Sequence, residues 1–142
     1  MRKLILTLLL LTAPVIAMAE SATFGDYTIY YQAVNSTFLN ADIAEQYGIV
    51  RSDRRAFLNV SVSKKDGNTM TPVPAVVSGG KRNLLMQVGK IEFREIREEN
   101  AIYYIGEFEY SNAETVRFSL EVQPEGTGPV REISWEVKMY NN

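Results

Sequence analysis

From Val116 to Val122 every second residue is apolar: Val116, Phe118, Leu120 and Val122 alternate with Arg117, Ser119 and Glu121. That period sets one side of the segment in a core and the other in water, as in a half-buried β-strand. After the break Pro124-Glu125-Gly126-Thr127-Gly128-Pro129 the period returns at Ile133, Trp135, Val137 and Met139, so a hairpin with a longer loop is expected. Leu58, Val60 and Val62 repeat the pattern, and Lys65-Asp66-Gly67-Asn68 supplies a turn in which glycine takes positive φ freely. Further strands are expected near residues 27–34, 73–77, 84–88, 91–97 and 102–110, about eight in all. Ile91 and Phe93 share a face that Ile96 does not, which a bulge near Glu95 would reconcile. Turns at Glu98-Glu99-Asn100 and Ser111-Asn112-Ala113 predict that the last five strands form an antiparallel meander.

One interval departs from period two. Asn40 to Gly48 reads as a short helix over 41–47: Asn40 caps the first free amides, Asp42 favours the positive end of the dipole, and Gly48 suits a left-handed exit. So short a helix is held by packing rather than propensity, with Ile43 and Tyr47 expected against the sheet. Many short strands separated by turns predict an all-β fold, an antiparallel immunoglobulin-like β-sandwich, with a small closed β-barrel as the alternative that period-two patterning leaves open.

The first residues carry a different signal. Met1-Arg2-Lys3 precedes an apolar stretch from Leu4 to Leu11, and Ala17-Met18-Ala19 follows. This is the order of a secretory signal peptide, with cleavage expected after Ala19 and a single domain over residues 20–142. Pro14 interrupts the apolar run, which falls short of the roughly 20 residues of a spanning helix. The expected location is therefore the periplasm, without stable membrane insertion.

The chain holds 15 Lys and Arg against 17 Asp and Glu. With Arg2 and Lys3 removed, the remainder carries a formal charge of −4. Such a weakly acidic surface argues against nucleic acid or an anionic membrane as the main partner. The chain has no histidine and no cysteine, which removes the usual general base, the triads built on it, ordinary zinc and haem ligation, and lipid attachment at cysteine. No cofactor and no metal site are expected.

Gly48-Ile49-Val50-Arg51-Ser52-Asp53-Arg54-Arg55 places three arginines within five positions. Guanidinium groups pair bidentately with carboxylate or phosphate, so Arg51, Arg54 and Arg55 are candidates for an anion site. Pairing of Arg51 with Asp53 on a solvated surface is the plainer reading. Asn35, Ser36 and Thr37 lie between the first expected strand and the helix, and their side chains readily bond local backbone. Held beside the arginines, they would complete a joint binding surface. Glu92, Glu95, Glu98, Glu99, Glu107, Glu109 and Glu114 read as a solvated sheet face, without the Asp/Asn loop of a calcium site or a cleft for an acid pair. In the pairs Tyr30-Tyr31 and Tyr103-Tyr104 one ring must face away from the core.

The ordered set Phe24-Gly25-Asp26-Tyr27, Asn35-Ser36-Thr37-Phe38-Leu39, Tyr47-Gly48-Ile49, Asn59-Val60-Ser61-Val62, Phe93-Arg94-Glu95 and Tyr103-Tyr104-Ile105 resembles a group of uncharacterised proteobacterial exported proteins, catalogued as a domain of unknown function. The likeness spans nearly the whole chain after the signal peptide. It implies a periplasmic immunoglobulin-like β-domain and no site residues.

The expected function is a non-enzymatic binding or interaction module of the periplasm whose partner is another protein or a small ligand. A small hydrolase using carboxylates or a Ser/Lys pair is one alternative. An envelope folding or assembly accessory that lends a sheet edge to a client is another.

Overall fold

The computed structural model describes residues 20–141; the expected signal peptide and its cleavage site lie outside the described residues. Among these the chain forms ten strands and one short helix: β1 (Glu20–Phe24), β2 (Tyr27–Asn35), α1 (Ala41–Tyr47), β3 (Arg55–Asp66), β4 (Thr69–Pro72), β5 (Ala75–Asn83), β6 (Val88–Ile91), β7 (Phe93–Glu98), β8 (Ala101–Glu109), β9 (Glu114–Pro124) and β10 (Arg131–Met139). One antiparallel sheet runs β1-β2-β3-β8-β7, with β4 paired to the far end of β3. The second runs β10-β9-β5-β6. Both sheets have open edges, so the fold is a sandwich and not a closed barrel.

The period-two residues meet where the sheets face each other. Val116, Phe118, Leu120 and Val122 of β9 and Ala56, Leu58, Val60 and Val62 of β3 are all buried in one core. Each buried valine, leucine or phenylalanine contributes about 1.5–3 kcal/mol by leaving water, and Ala56 less. Aromatic rings tie the layers together: Phe118 lies 5.0 Å from Phe108 and 5.1 Å from Trp135, and Trp135 lies 4.5 Å from Tyr31. Tyr104 adds a polar link, its hydroxyl accepting from the Ala75 N–H of the opposite sheet at 2.8 Å.

Three expectations are corrected. The apolar run at residues 84–88 is mostly the turn joining β5 to β6, because the Asn83 side-chain oxygen takes the amides of Leu85 and Gln87, each at 3.0 Å, and curls the chain. The last five strands do not form a meander: β8 pairs with β3 and β7, whereas β9 pairs with β10 and β5, so the turn at Ser111-Asn112-Ala113 crosses between sheets. No bulge occurs at Glu95, since β7 and β8 keep one register from Phe93↔Gly106 to Glu98↔Ala101. Ile96 instead belongs to a second apolar cluster on the outer face of the sheet, with Ala44, Ile49, Phe57 and Ile105.

That outer cluster is what α1 covers. Asn40 caps the helix by accepting from the Ile43 N–H, and Gly48 leaves it at φ 68°, both as expected. The packing residues differ: Ala44 is buried and Tyr47 partly so, while Ile43 points to solvent. A seven-residue helix spans barely two turns, so only the stripe through Ala44 and Tyr47 touches the sheet.

Candidate functional site

The sharp exit of α1 at Gly48 sends the chain down over the end of β3, and its first amides find partners on the way. Ile49 N–H bonds to the Ala44 carbonyl at 2.8 Å, and Val50 N–H to the Glu107 carboxylate at 3.1 Å. Arg94 caps the open end of the helix, donating to the carbonyls of Tyr47 at 2.7 Å and Gly48 at 3.2 Å. Its guanidinium also pairs with Glu107 at 3.3 Å. Arg55 reaches the same carboxylate at 3.7 Å and Glu109 at 3.3 Å. Glu107 is therefore the hub of a charged network under the loop, and not part of a solvated face.

The 35–37 loop and the arginine segment lie against each other. Ser36 is fully buried; its hydroxyl donates to the Ser52 carbonyl at 2.8 Å and accepts from the Ser52 N–H at 2.9 Å. Arg51 donates to the Thr37 carbonyl at 3.4 Å, and no Arg51–Asp53 ion pair forms. Asn35 donates to the Tyr140 carbonyl at 2.9 Å. Ser36 and Thr37 thus brace the segment from behind, with Arg51 on their side, while Asn35 holds the C-terminal end of β10 instead.

Arg54 and Arg55 alone of the six candidates line a cleft. It measures about 530 Å³ and sits between the sheets, where the end of β3 faces the β5–β6 hairpin. Sequence reading missed its other wall: Lys81 and Arg82, on β5 of the second sheet. Lys81 spans the gap, donating to the Glu109 carbonyl at 2.5 Å and lying 5.8 Å from the centre of the Phe108 ring. Arg82 stands opposite Arg117 in the β5–β9 ladder, and Arg117 turns away to pair with Glu136 at 3.4 Å. Among the described residues neither Arg54 nor Arg82 forms an ion pair.

Four cations face two carboxylates, Glu109 and Glu114, around the cleft. Glu109 is engaged with Arg55, and Glu114 accepts from the Ser111 N–H at 3.2 Å. Tyr110 forms part of the wall, its phenol pushed up from its ordinary range first by burial and then by Asp53. Two free guanidinium groups beside a lysine can clamp a carboxylate or a phosphate group. The far wall had no sequence signal: Lys81 and Arg82 fall in the glycine-containing stretch between the expected strands 73–77 and 84–88, where no apolar alternation marks β5.

A family model described as a domain of unknown function, DUF4426, matches residues 21–142. The chain belongs to this family. A DUF4426 protein of Pseudomonas aeruginosa, known from its crystal structure, is 32% identical, with 87% of this chain and 96% of that one covered and a TM-score of 0.75. The DUF4426 fold extends to proteins of much lower identity. FetP of uropathogenic Escherichia coli is 12% identical with a TM-score of 0.63 over 87% of this chain and 95% of its own. A copper-bound variant of FetP is also 12% identical, with a TM-score of 0.58 and coverage of 87% and 96%. At such identity the likeness concerns the fold. A comparison with curated proteins finds no match.

Proposed function

We propose that this DUF4426 chain is an exported periplasmic module that binds, without catalysis, a ligand presenting a carboxylate or phosphate. The observation that carries the reading is the meeting of Arg54, in the turn leading into β3, and Arg82, on β5 of the other sheet, neither engaged in an ion pair, across a cleft that also holds Arg55 and Lys81. The N-terminal pattern of residues 1–19 supports export, and FetP, of the same fold, was produced in the periplasm. No described helix is long and apolar enough to cross a membrane.

Copper is not carried over from FetP. Imidazole and thiolate, the usual nitrogen and sulfur donors for copper, are missing because the chain has no histidine and no cysteine. Among the described residues no cluster of three or more acids is placed to hold a metal ion either. Catalysis is disfavoured because the two cleft carboxylates are already engaged.

The test is calorimetric titration of inorganic phosphate, and separately of citrate, into the protein and its Arg54→Ala/Arg82→Ala variant. Saturable binding of at least one anion, weakened tenfold or more in the variant, is expected. Absence of binding to the unmodified protein, or equal binding by both, overturns the reading.

A further inference from the structure

The turn joining β5 to β6 is built unlike an ordinary solvated turn. Its side chains Leu84, Leu85 and Met86 are 75%, 81% and 64% exposed, and Val88 beyond them is 80% exposed. Four large apolar groups thus project from one hairpin tip, where isolated exposed apolar residues are normal and a contiguous set is not.

Most amides of this tip are bonded from within. Leu85 and Gln87 donate their amides to the Asn83 side-chain oxygen, Met86 donates to the Asn83 carbonyl at 3.0 Å, and Asn83 donates to the Gln87 carbonyl at 3.2 Å. The Asn83 side-chain amide closes the turn on the Gln87 side chain at 2.6 Å. Met86 adopts the left-handed region at φ 63° to make this possible. A loop with most of its amides already bonded strands fewer donors on entering the headgroup–acyl boundary, where water and headgroups remain for the rest.

The foot of the tip is positive. Lys81 and Arg82 precede it on β5 and Lys90 follows on β6. Asn83, Gln87 and Val88 also border the cationic cleft, so Arg54 lies at the same end. Lys90 pairs with Glu92 at 3.6 Å, and Glu109 and Glu114 remain the acids of the cleft. The formal charge of −4 is thus carried elsewhere on the molecule, and the local field at the hairpin has the opposite sign.

We propose that the β5–β6 hairpin docks the protein peripherally on a bilayer of anionic phospholipid, with Leu84, Leu85, Met86 and Val88 in the headgroup–acyl boundary and Arg82, Lys90 and the cleft cations on lipid phosphates. Shape and charge argue for this occupant. A convex apolar tip needs a matching pocket on a protein partner but none in a bilayer, and cations behind it complement the negative surface potential. The attachment is interfacial, since four side chains reach the boundary and do not span. The inference rests on the cleft as an anion site and names the headgroup as the anion.

The experiment is vesicle co-sedimentation of the protein recovered from the periplasmic fraction, its mass checked so that wild type and variants share one N-terminus. Vesicles of phosphatidylethanolamine with phosphatidylglycerol are compared with vesicles of phosphatidylcholine. The variants are Leu84→Ser/Leu85→Ser/Met86→Ser, which removes only exposed side chains, and Arg82→Ala/Lys90→Ala. Binding to the anionic vesicles at least tenfold stronger than to the neutral ones is expected, with a tenfold or greater loss in the serine variant and loss of salt dependence in the alanine variant. Phosphate titration of the serine variant should match wild type, so failure of the cleft and failure of the tip are read separately. The proposal is overturned by absence of vesicle binding, by equal binding of both vesicle types, or by unaltered binding of the serine variant. A dimer that the serine change dissociates, without vesicle binding, would instead make the tip a contact between copies of the chain.

Discussion

The Ser36 hydroxyl and the Ser52 backbone exchange two hydrogen bonds, one in each direction, at 2.8 and 2.9 Å in the buried seam between the 35–37 loop and the arginine segment. No other side chain of that size both donates and accepts so close to its own backbone. Ser36→Ala strands the Ser52 amide and leaves the Ser52 carbonyl only the Arg55 N–H at 3.2 Å, and should cost about 1–3 kcal/mol. Urea unfolding followed through Trp135 fluorescence checks it; an unchanged midpoint would mean that water replaces the hydroxyl.

Glu107 is the second element that holds the site. Its side chain is only 17% exposed and serves Val50 N–H, Arg94 and Arg55 together. Removing it leaves the Val50 N–H without its acceptor and costs each guanidinium one of its partners, though Arg55 keeps Glu109 and Arg94 the helix-end carbonyls. Glu107→Ala should destabilise by about 2 kcal/mol, below the figure for a fully buried pair because both arginines remain partly in water. Glu107→Gln keeps an acceptor for Val50 and should lose about half as much. Equal losses for both variants would show that the charge, and not the Val50 bond, is the larger contribution.

These two residues also show what the sequence can and cannot disclose. Alternation at Val116–Val122 and Ile133–Met139 announced strands and their inward faces because burial on one side imposes period two. The cap at Asn40 and the exit at Gly48 were legible because both act within a few residues of themselves. Partners across the sandwich were not. Nothing near Arg54 announces that Lys81 and Arg82 face it, since the crossing of β8 to β9 between sheets decides that. Glu107 looked like one more acid on a wet strand until the loop after α1 folded over it. The strand β1 escaped notice because only Ala22 and Phe24 of its five residues pack on the core.

Gly106 marks a place where the packing admits no side chain. It lies opposite Phe93 in the β7–β8 ladder. A Cβ built there would sit 2.9 Å from the Phe93 ring and closer still to the Ile91 methyl. Its conformation is not the obstacle; the volume is. Gly106→Ala should destabilise by about 2–3 kcal/mol through overpacking. Ile91→Ala combined with it should recover part of the loss by opening the space, and a double variant less stable than the sum of the singles would refute the steric account.

Acid should weaken the fold through two solvent-facing carboxylates, Glu125 and Glu95, each held by a cation and a tyrosine hydroxyl. Glu125 is kept below the ordinary carboxylate range first by the Tyr27 hydroxyl and then by Lys64, which pairs with it at 3.4 Å. Glu95 is lowered first by its bond from Arg97, with a smaller contribution from Tyr104. A carboxyl whose folded pKa lies below its unfolded one binds fewer protons when folded, so stability rises with pH across that interval. The contribution is complete above the unfolded value of about 4.3 and disappears as pH falls through the folded one. Urea midpoints measured from neutral to strongly acidic pH should therefore decline on the acid side, and Glu125→Gln and Glu95→Gln should each flatten the decline while lowering stability at neutral pH. Both groups are solvent-facing, so added salt should shrink the effect. A variant whose acid slope stays as steep as wild type would remove that carboxylate from the account.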